Sequence, residues 1–204
     1  MACIELSIKN LDEKSKLLAE KISKEFTPDI VIYVARGSYL IGRTVSEYFK
    51  VPLIAVGAER KGNSVKEYLA PVLSMLPRFI CDLLRKVELK SNVHAKSVER
   101  EIKFLDDVNS IDKSVVEKIL IIDDSIDTGN SMRCVVELVR KEFASAELKI
   151  AVLNVMEQSK DVIQADYYCY RNAMLRTPMS KDSREYSVFV KMYLNRRGAM
   201  DEKS

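Results

Sequence analysis

Asp123, Asp124 and Asp127 stand close together in this chain, between the apolar run Ile119-Leu120-Ile121-Ile122 and the turn Thr128-Gly129-Asn130-Ser131. Adjacent carboxylates accept hydrogen bonds from hydroxyl groups. A small, hydroxyl-bearing turn that opens a helix leaves free backbone N–H groups beside Thr and Ser oxygens, which together make a cradle for phosphate. Acids suited to sugar hydroxyls, set beside donors suited to phosphate, describe a site for a sugar phosphate. The apolar run is short and rich in isoleucine, as in a strand buried on both faces. Unpaired buried carboxylates are costly, so the acids are expected to emerge at the carboxyl edge of the sheet. That edge is where open α/β sheets bind ligands.

Two βαβ units are predicted to position this chemistry. In the first, Ile30 to Val34 is a strand, Ala35-Arg36-Gly37-Ser38 a turn, Leu40 to Phe49 a helix face and Pro52 to Val56 the next strand. A crossover of this length implies parallel pairing. In the second, the acidic strand is followed by a helix whose inner face carries Met132, Val135, Val136, Val139 and Phe143, and then by a strand over Leu148 to Met156. Asp166 to Tyr170 reads as a last short strand. Before the first unit, Leu11, Leu17, Leu18, Ile22 and Phe26 recur at helical spacing, with Asn10 or Asp12 as the cap and Thr27-Pro28 as the stop. Residues 198–204 read as a frayed end.

Between the units, residues 58–117 form an insertion. Its 64–87 stretch has a helical pattern divided by Pro71 and Pro77. It reads either as a lid or as a helical pair covering a sheet edge or a dimer contact. The charged 88–104 stretch reads either as a mobile loop, with Lys90, Ser91, His94, Lys96 and Arg100 as contacts, or as a solvated hairpin or helix face. Ser114-x-x-Glu117 matches a capping box, with room only for a short turn before the central strand.

The 204 residues suffice for one α/β domain with a sizeable core. A net charge of +3 gives no argument for a nucleic-acid partner. The four cysteines are scattered, without a C-x-x-C pair, and His94 is the single histidine, so neither a zinc site nor a disulfide framework is expected. With no leader peptide and no long apolar stretch, the expectation is a cytoplasmic protein without a membrane partner.

The stretch Lys118 to Ser131 resembles the phosphoribosyl pyrophosphate (PRPP) signature of type I phosphoribosyltransferases: an apolar strand, two acids, two mostly apolar residues, then Asp-Thr-Gly and a small or hydroxyl residue. Ser125 is more polar than that family has there. The turn Arg36-Gly37-Ser38 is similar to the family's pyrophosphate loop, although a second glycine is missing. The resemblance implies an α/β fold of the type I phosphoribosyltransferase kind. Its sheet would be mostly parallel and flanked by helices, with inserted helices and a small hood from the termini, the tail 171–204 included. It implies transfer of the phosphoribosyl group from PRPP to a nitrogen nucleophile with release of pyrophosphate. Asp123 and Asp124 would hold the ribose hydroxyls. Asp127, Thr128, Gly129, Asn130 and Ser131 would hold the 5′-phosphate, and Arg36, Gly37 and Ser38 the pyrophosphate. Asp127 is the candidate general base. Mg2+ would travel with PRPP, with no direct protein ligand, and a homodimer is common among such enzymes.

The resemblance says less about the acceptor. Enzymes for 6-oxopurines place a lysine near the end of the fourth core strand, where this chain has Met156 or Glu157. Glu157 instead suits an amino group or ring N–H. Tyr168 or Tyr170 would supply an aromatic for stacking on the base. The segment Ser180 to Tyr186 has a loose likeness to a tail segment of those enzymes. Rival readings are a PRPP-sensing regulator of the same fold, an aspartic protease built on Asp127-Thr128-Gly129, and a phosphatase or receiver using the acid pair.

Overall fold

The computed structural model describes residues 3–58 and 102–201. The readings given above for 64–87 and for Lys90, Ser91, His94, Lys96 and Arg100 concern residues outside these. The elements are β1 (Cys3–Glu5), α1 (Ile8–Ser23), β2 (Ile30–Val34), α2 (Tyr39–Phe49), β3 (Leu53–Ala58), β4 (Ile102–Phe104), β5 (Lys118–Ile126), α3 (Asn130–Glu142), β6 (Glu147–Val155), β7 (Tyr167–Arg171), β8 (Met174–Arg176) and α4 (Tyr186–Asp201). The main sheet has six strands in the order β4-β3-β2-β5-β6-β7. All its pairings are parallel except that of β4 with β3. A second sheet of two parallel strands joins β1 to β8, and so ties the start of the described chain to the segment that leads into α4. This α/β architecture is the one expected.

Alternation along the central strands explains why both faces of the sheet are buried. Val31 and Tyr33 of β2, Leu120 and Ile122 of β5, and Ala151 and Leu153 of β6 enter one core with α1, α2 and α4. Ile30, Ile32, Ile119, Ile121, Ile150 and Val152 enter the other, with Met132, Val135 and Val139 of α3. Each such valine, leucine or isoleucine contributes roughly 1.5–3 kcal/mol by leaving water. A strand buried on both faces therefore has to be apolar throughout, as β5 is until Asp123.

The order of strands fixes where a ligand can sit. From β2 the chain moves outward to β3; from β5 it moves the opposite way to β6 and β7. The topological switch point therefore lies between β2 and β5, and the turns leaving their carboxyl ends open onto one crevice.

Several local expectations are corrected. Ser7 caps α1, its Oγ accepting from the Asn10 N–H at 3.1 Å, in place of Asn10 or Asp12. β5 runs on to Ile126, so the acids lie within the strand rather than after it. The tail carries β8 and α4, and the helix continues to Asp201 where a frayed end is expected. Ser114 bonds Asp112 in a local turn instead of opening a capping box. No disulfide joins the described cysteines. No helix among the described residues is long and apolar enough to cross a membrane.

Candidate functional site

Because β5 is paired on both sides through its apolar part, it delivers Asp123 and Asp124 to the crevice as an ordered pair. Both side chains are partly buried. Asp123 Oδ1 accepts from the Asp124 backbone N–H at 2.8 Å. Burial, and then the neighbouring Asp124 charge, hold the Asp123 carboxyl well above the usual carboxylate range. Burial also raises Asp124, with the Asp127 charge adding to it. Charge of this sign, crowded and partly desolvated, is relieved by hydroxyl donors or by a cation. Among the described residues no three Asp, Glu, His or Cys side chains gather as a metal cage.

Gly37 brings the other turn to these acids. A Cβ added to Gly37 would lie 3.1 Å from Asp124 Oδ2, so the turn at the end of β2 and the acid pair of β5 are in direct proximity. The Ala35–Arg36 peptide bond is cis. Arg36 is exposed. Ser38 behaves differently from the expectation of a donor facing the ligand. It is fully buried, and its Oγ lies 2.6 Å from the Val34 carbonyl and 3.1 Å from that of Ile122. Its N–H is also engaged by Val34. Ser38 thus fastens the turn to the ends of β2 and β5, and neither its hydroxyl nor its N–H is left for a ligand.

The turn after β5 has the opposite character. Gly129 is the N-cap of α3 with φ 85°, and no side chain caps this helix. The first bond of the helix runs from the Arg133 N–H to the Gly129 carbonyl at 2.9 Å. The earlier N–H groups of α3 are thus left without an intrahelical partner, at the end where the positive pole of the helix dipole favours an anion. A Cβ at Gly129 would approach Val162 and Ile163 to 3.0 Å, so both the backbone angle and the packing require glycine. Asp127 and Asn130 are exposed, and Thr128 is partly so. Asn130 Nδ2 reaches Thr128 Oγ1 at 3.4 Å.

Ser125 reveals why its polarity departs from the signature. Its Oγ donates to Asp127 Oδ1 at 2.8 Å and lies 3.4 Å from Asn154 Nδ2. Asn154 is itself buried, opposite Ser125 in the ladder, and exchanges hydrogen bonds with Ala173 at 3.0 and 3.1 Å. Asp127 is therefore oriented through a serine backed by a fixed amide. Asn154 was not among the expected residues, although a polar residue inside the apolar run of β6 is a readable signal.

At the ends of β6 and β7 the groups satisfy one another. Glu157 is exposed and pairs with Arg171 at 3.2 Å and Lys160 at 3.9 Å. Arg171 also donates to the Tyr168 hydroxyl at 2.8 Å. Asn172, with φ 52°, accepts from the Glu157 N–H at 2.7 Å. The Met156 N–H is bonded to the Ile126 carbonyl. Lys14 lies over the Tyr170 ring, and Lys21 over that of Tyr168. No hydrogen bond or ion pair among the described residues links Glu157, Arg171 or Tyr168 directly to Asp123, Asp124 or Asp127. The Ser180–Tyr186 stretch folds against β8, where Asp182 pairs with the buried Arg176 at 2.8 Å.

Comparison with known proteins agrees with this fold. Many solved structures share the fold, three of them as follows. A purine phosphoribosyltransferase from Pyrococcus horikoshii is 22% identical with a TM-score of 0.57, over 87% of this chain and 93% of that one. A Helicobacter pylori xanthine-guanine-hypoxanthine phosphoribosyltransferase is 13% identical with a TM-score of 0.62, over 92% and 99%. A Neisseria gonorrhoeae protein with bound ppGpp is 14% identical with a TM-score of 0.52, over 96% and 98%. No curated protein sequence matches. The model of the phosphoribosyl transferase domain matches residues 6–174, and the chain belongs to that family.

Proposed function

We propose that the protein transfers the 5-phosphoribosyl group of PRPP to a ring or amino nitrogen of a nucleobase, releasing pyrophosphate. The observation that carries this reading is the meeting of Gly37 with Asp124 at the switch point, beside the uncapped start of α3. These are the parts needed for a ligand with phosphate at both ends of a ribose.

The roles follow from charge. Asp123 and Asp124 accept from the ribose 2′- and 3′-hydroxyls. As the bond from C1 to pyrophosphate breaks, positive charge grows on the ribose ring, and these carboxylates stabilise it. The first N–H groups of α3, with Thr128 and Ser131, hold the 5′-phosphate. Gly37 lets the diphosphate approach the backbone, Arg36 supplies charge, and Ser38 keeps the turn in place. Asp127, oriented by Ser125, takes the proton from the attacking nitrogen. The crowded acid pair of Asp123 and Asp124 fits a nearby cation such as Mg2+, which would arrive with the diphosphate and, when bound, would make pyrophosphate a better leaving group.

For the acceptor, the pairing of Glu157 with Arg171 supports a polar wall rather than a lone carboxylate. Calorimetry with PRPP, with and without Mg2+, followed by pyrophosphate release with a panel of nucleobases, tests the reading. PRPP binding and base-dependent release are expected. Binding without release from any base favours a PRPP-sensing regulator, and absence of binding sinks the proposal.

A further inference from the structure

Helix α4 lies beyond the residues that the family model matches, yet it reaches the turn at Arg36. The Arg36 guanidinium carbon sits 5.5 Å from the centre of the Tyr193 ring. Tyr193 is 4% exposed and meets Tyr39, the first residue of α2, edge to face at 5.3 Å and 78°. Tyr39 in turn lies against Tyr33 of β2 at 5.7 Å.

The helix is held there from two sides. Phe189, one turn before, is buried and stacks near Tyr193 at 6.0 Å. Arg196, close to one turn after, lies over the rings of Tyr33 and Tyr39 at 5.1 and 5.7 Å. Its Nη2 is 2.6 Å from Asp106 Oδ2, and the same oxygen accepts from the Ala55 N–H of β3 at 2.7 Å. Both partners of that ion pair are mostly sequestered, with side-chain exposures of 10% and 16%. The Tyr193 ring is thus fixed by packing, whereas the Arg36 side chain that lies on it is exposed.

We propose that α4 is the support of the Arg36-Gly37-Ser38 turn, and that Tyr193 is a positioning residue for the Arg36 guanidinium. A free arginine loses rotamer freedom when it closes on an anion; one already resting on an aromatic face loses less. The guanidinium keeps its positive charge, because attraction to a neutral ring does not cancel it, and its edge stays available to the diphosphate. The inference rests on the pyrophosphate role proposed for Arg36.

The test measures affinities of the full chain for pyrophosphate and for PRPP, both with Mg2+, by calorimetry. Tyr193→Leu is expected to weaken both by roughly three- to ten-fold, and Tyr193→Phe to restore them, since the ring carries the contact. In an Arg36→Ala background, Tyr193→Leu should have no further effect, because a residue acting through Arg36 loses its route. Loss of the same factor in both backgrounds, or no loss in either, overturns the inference and leaves the functional reading standing. Failure of the wild type to bind either ligand overturns the reading and this inference with it. A second measurement does not depend on the variants folding. Ring current from Tyr193 should shift the Arg36 side-chain protons upfield in the ligand-free wild type; ordinary shifts there would contradict the proposal.

Discussion

At the junction of β2 and β5, like charges are crowded together and a helix starts without a side-chain cap; at the ends of β6 and β7, opposite charges have found one another. The acid pair is crowded into a partly buried strand end that raises both carboxyls, and α3 begins on a glycine with no side-chain cap. Across the same edge, Glu157 is neutralised by Arg171 and Lys160, and the Asn172 side chain accepts from the Glu157 N–H. Crowded, partly desolvated like charges raise the free energy of the empty site and are relieved by hydroxyl donors or positive charge. The first region is therefore built for a charged ligand of defined shape. The second is already balanced by its own pairs of opposite charge. On the proposed function, the first region would take PRPP and the second would face the acceptor.

The sharpest break in that contrast is Asp123→Asn with Asp124→Asn. Pyrophosphate release should fall by at least about 100-fold, while the fold becomes more stable at neutral pH. The sign follows from linkage. Both acids titrate above their ordinary value of 3.8 in the folded chain. The folded state therefore holds more protons, and stability declines as pH rises from about 4 through the raised values. Thermal melts of the wild type against the double variant should diverge as pH climbs and converge near about pH 3, below the ordinary carboxyl range. Parallel melts at all pH values would show that the acids are not strained.

Next in size is Gly129→Ala. A left-handed φ of 85° and a methyl 3.0 Å from Val162 and Ile163 act together. A loss of about 1–3 kcal/mol is expected, with a drop in melting temperature of about 2–4 °C for each kcal/mol. PRPP affinity should fall by roughly ten-fold or more as the first turn of α3 is displaced. Calorimetry and melting curves together check this.

The smallest expected effect tests the other half. Glu157→Gln removes an exposed ion pair, so stability should move by no more than about 0.5 kcal/mol. PRPP affinity should stay unchanged, and the KM for the best nucleobase should shift by about two- to five-fold, on the order of a single exposed polar contact. A change in PRPP affinity equal to that in base KM would dissolve the distinction between the halves.

The chain's pattern carried the local information. Ile119 to Ile122 followed by acids, then a glycine turn, then a period of helical spacing, is legible because a doubly buried strand must be apolar and a helix start must leave N–H groups free. The βαβ order gave the parallel sheet, because crossovers of that length allow little else. The inner ends of β5 and β6 were less legible. The strand outlasts its apolar run because β6 continues to pair with Ser125 and Ile126, and pairing of that kind lies in another segment.

By itself, then, the sequence determined which residues carry charge, which turns need glycine and which strands are buried. Only the tertiary structure decided what those groups meet. Gly37 touching Asp124, Ser38 turned inward to two carbonyls, Ser125 bonded to Asp127, and Tyr193 beneath Arg36 all join residues from different elements. Periodicity reports the face of an element, not its neighbour. Which neighbour it has depends on strand order and on where α4 returns, and both are set by packing summed over the whole core.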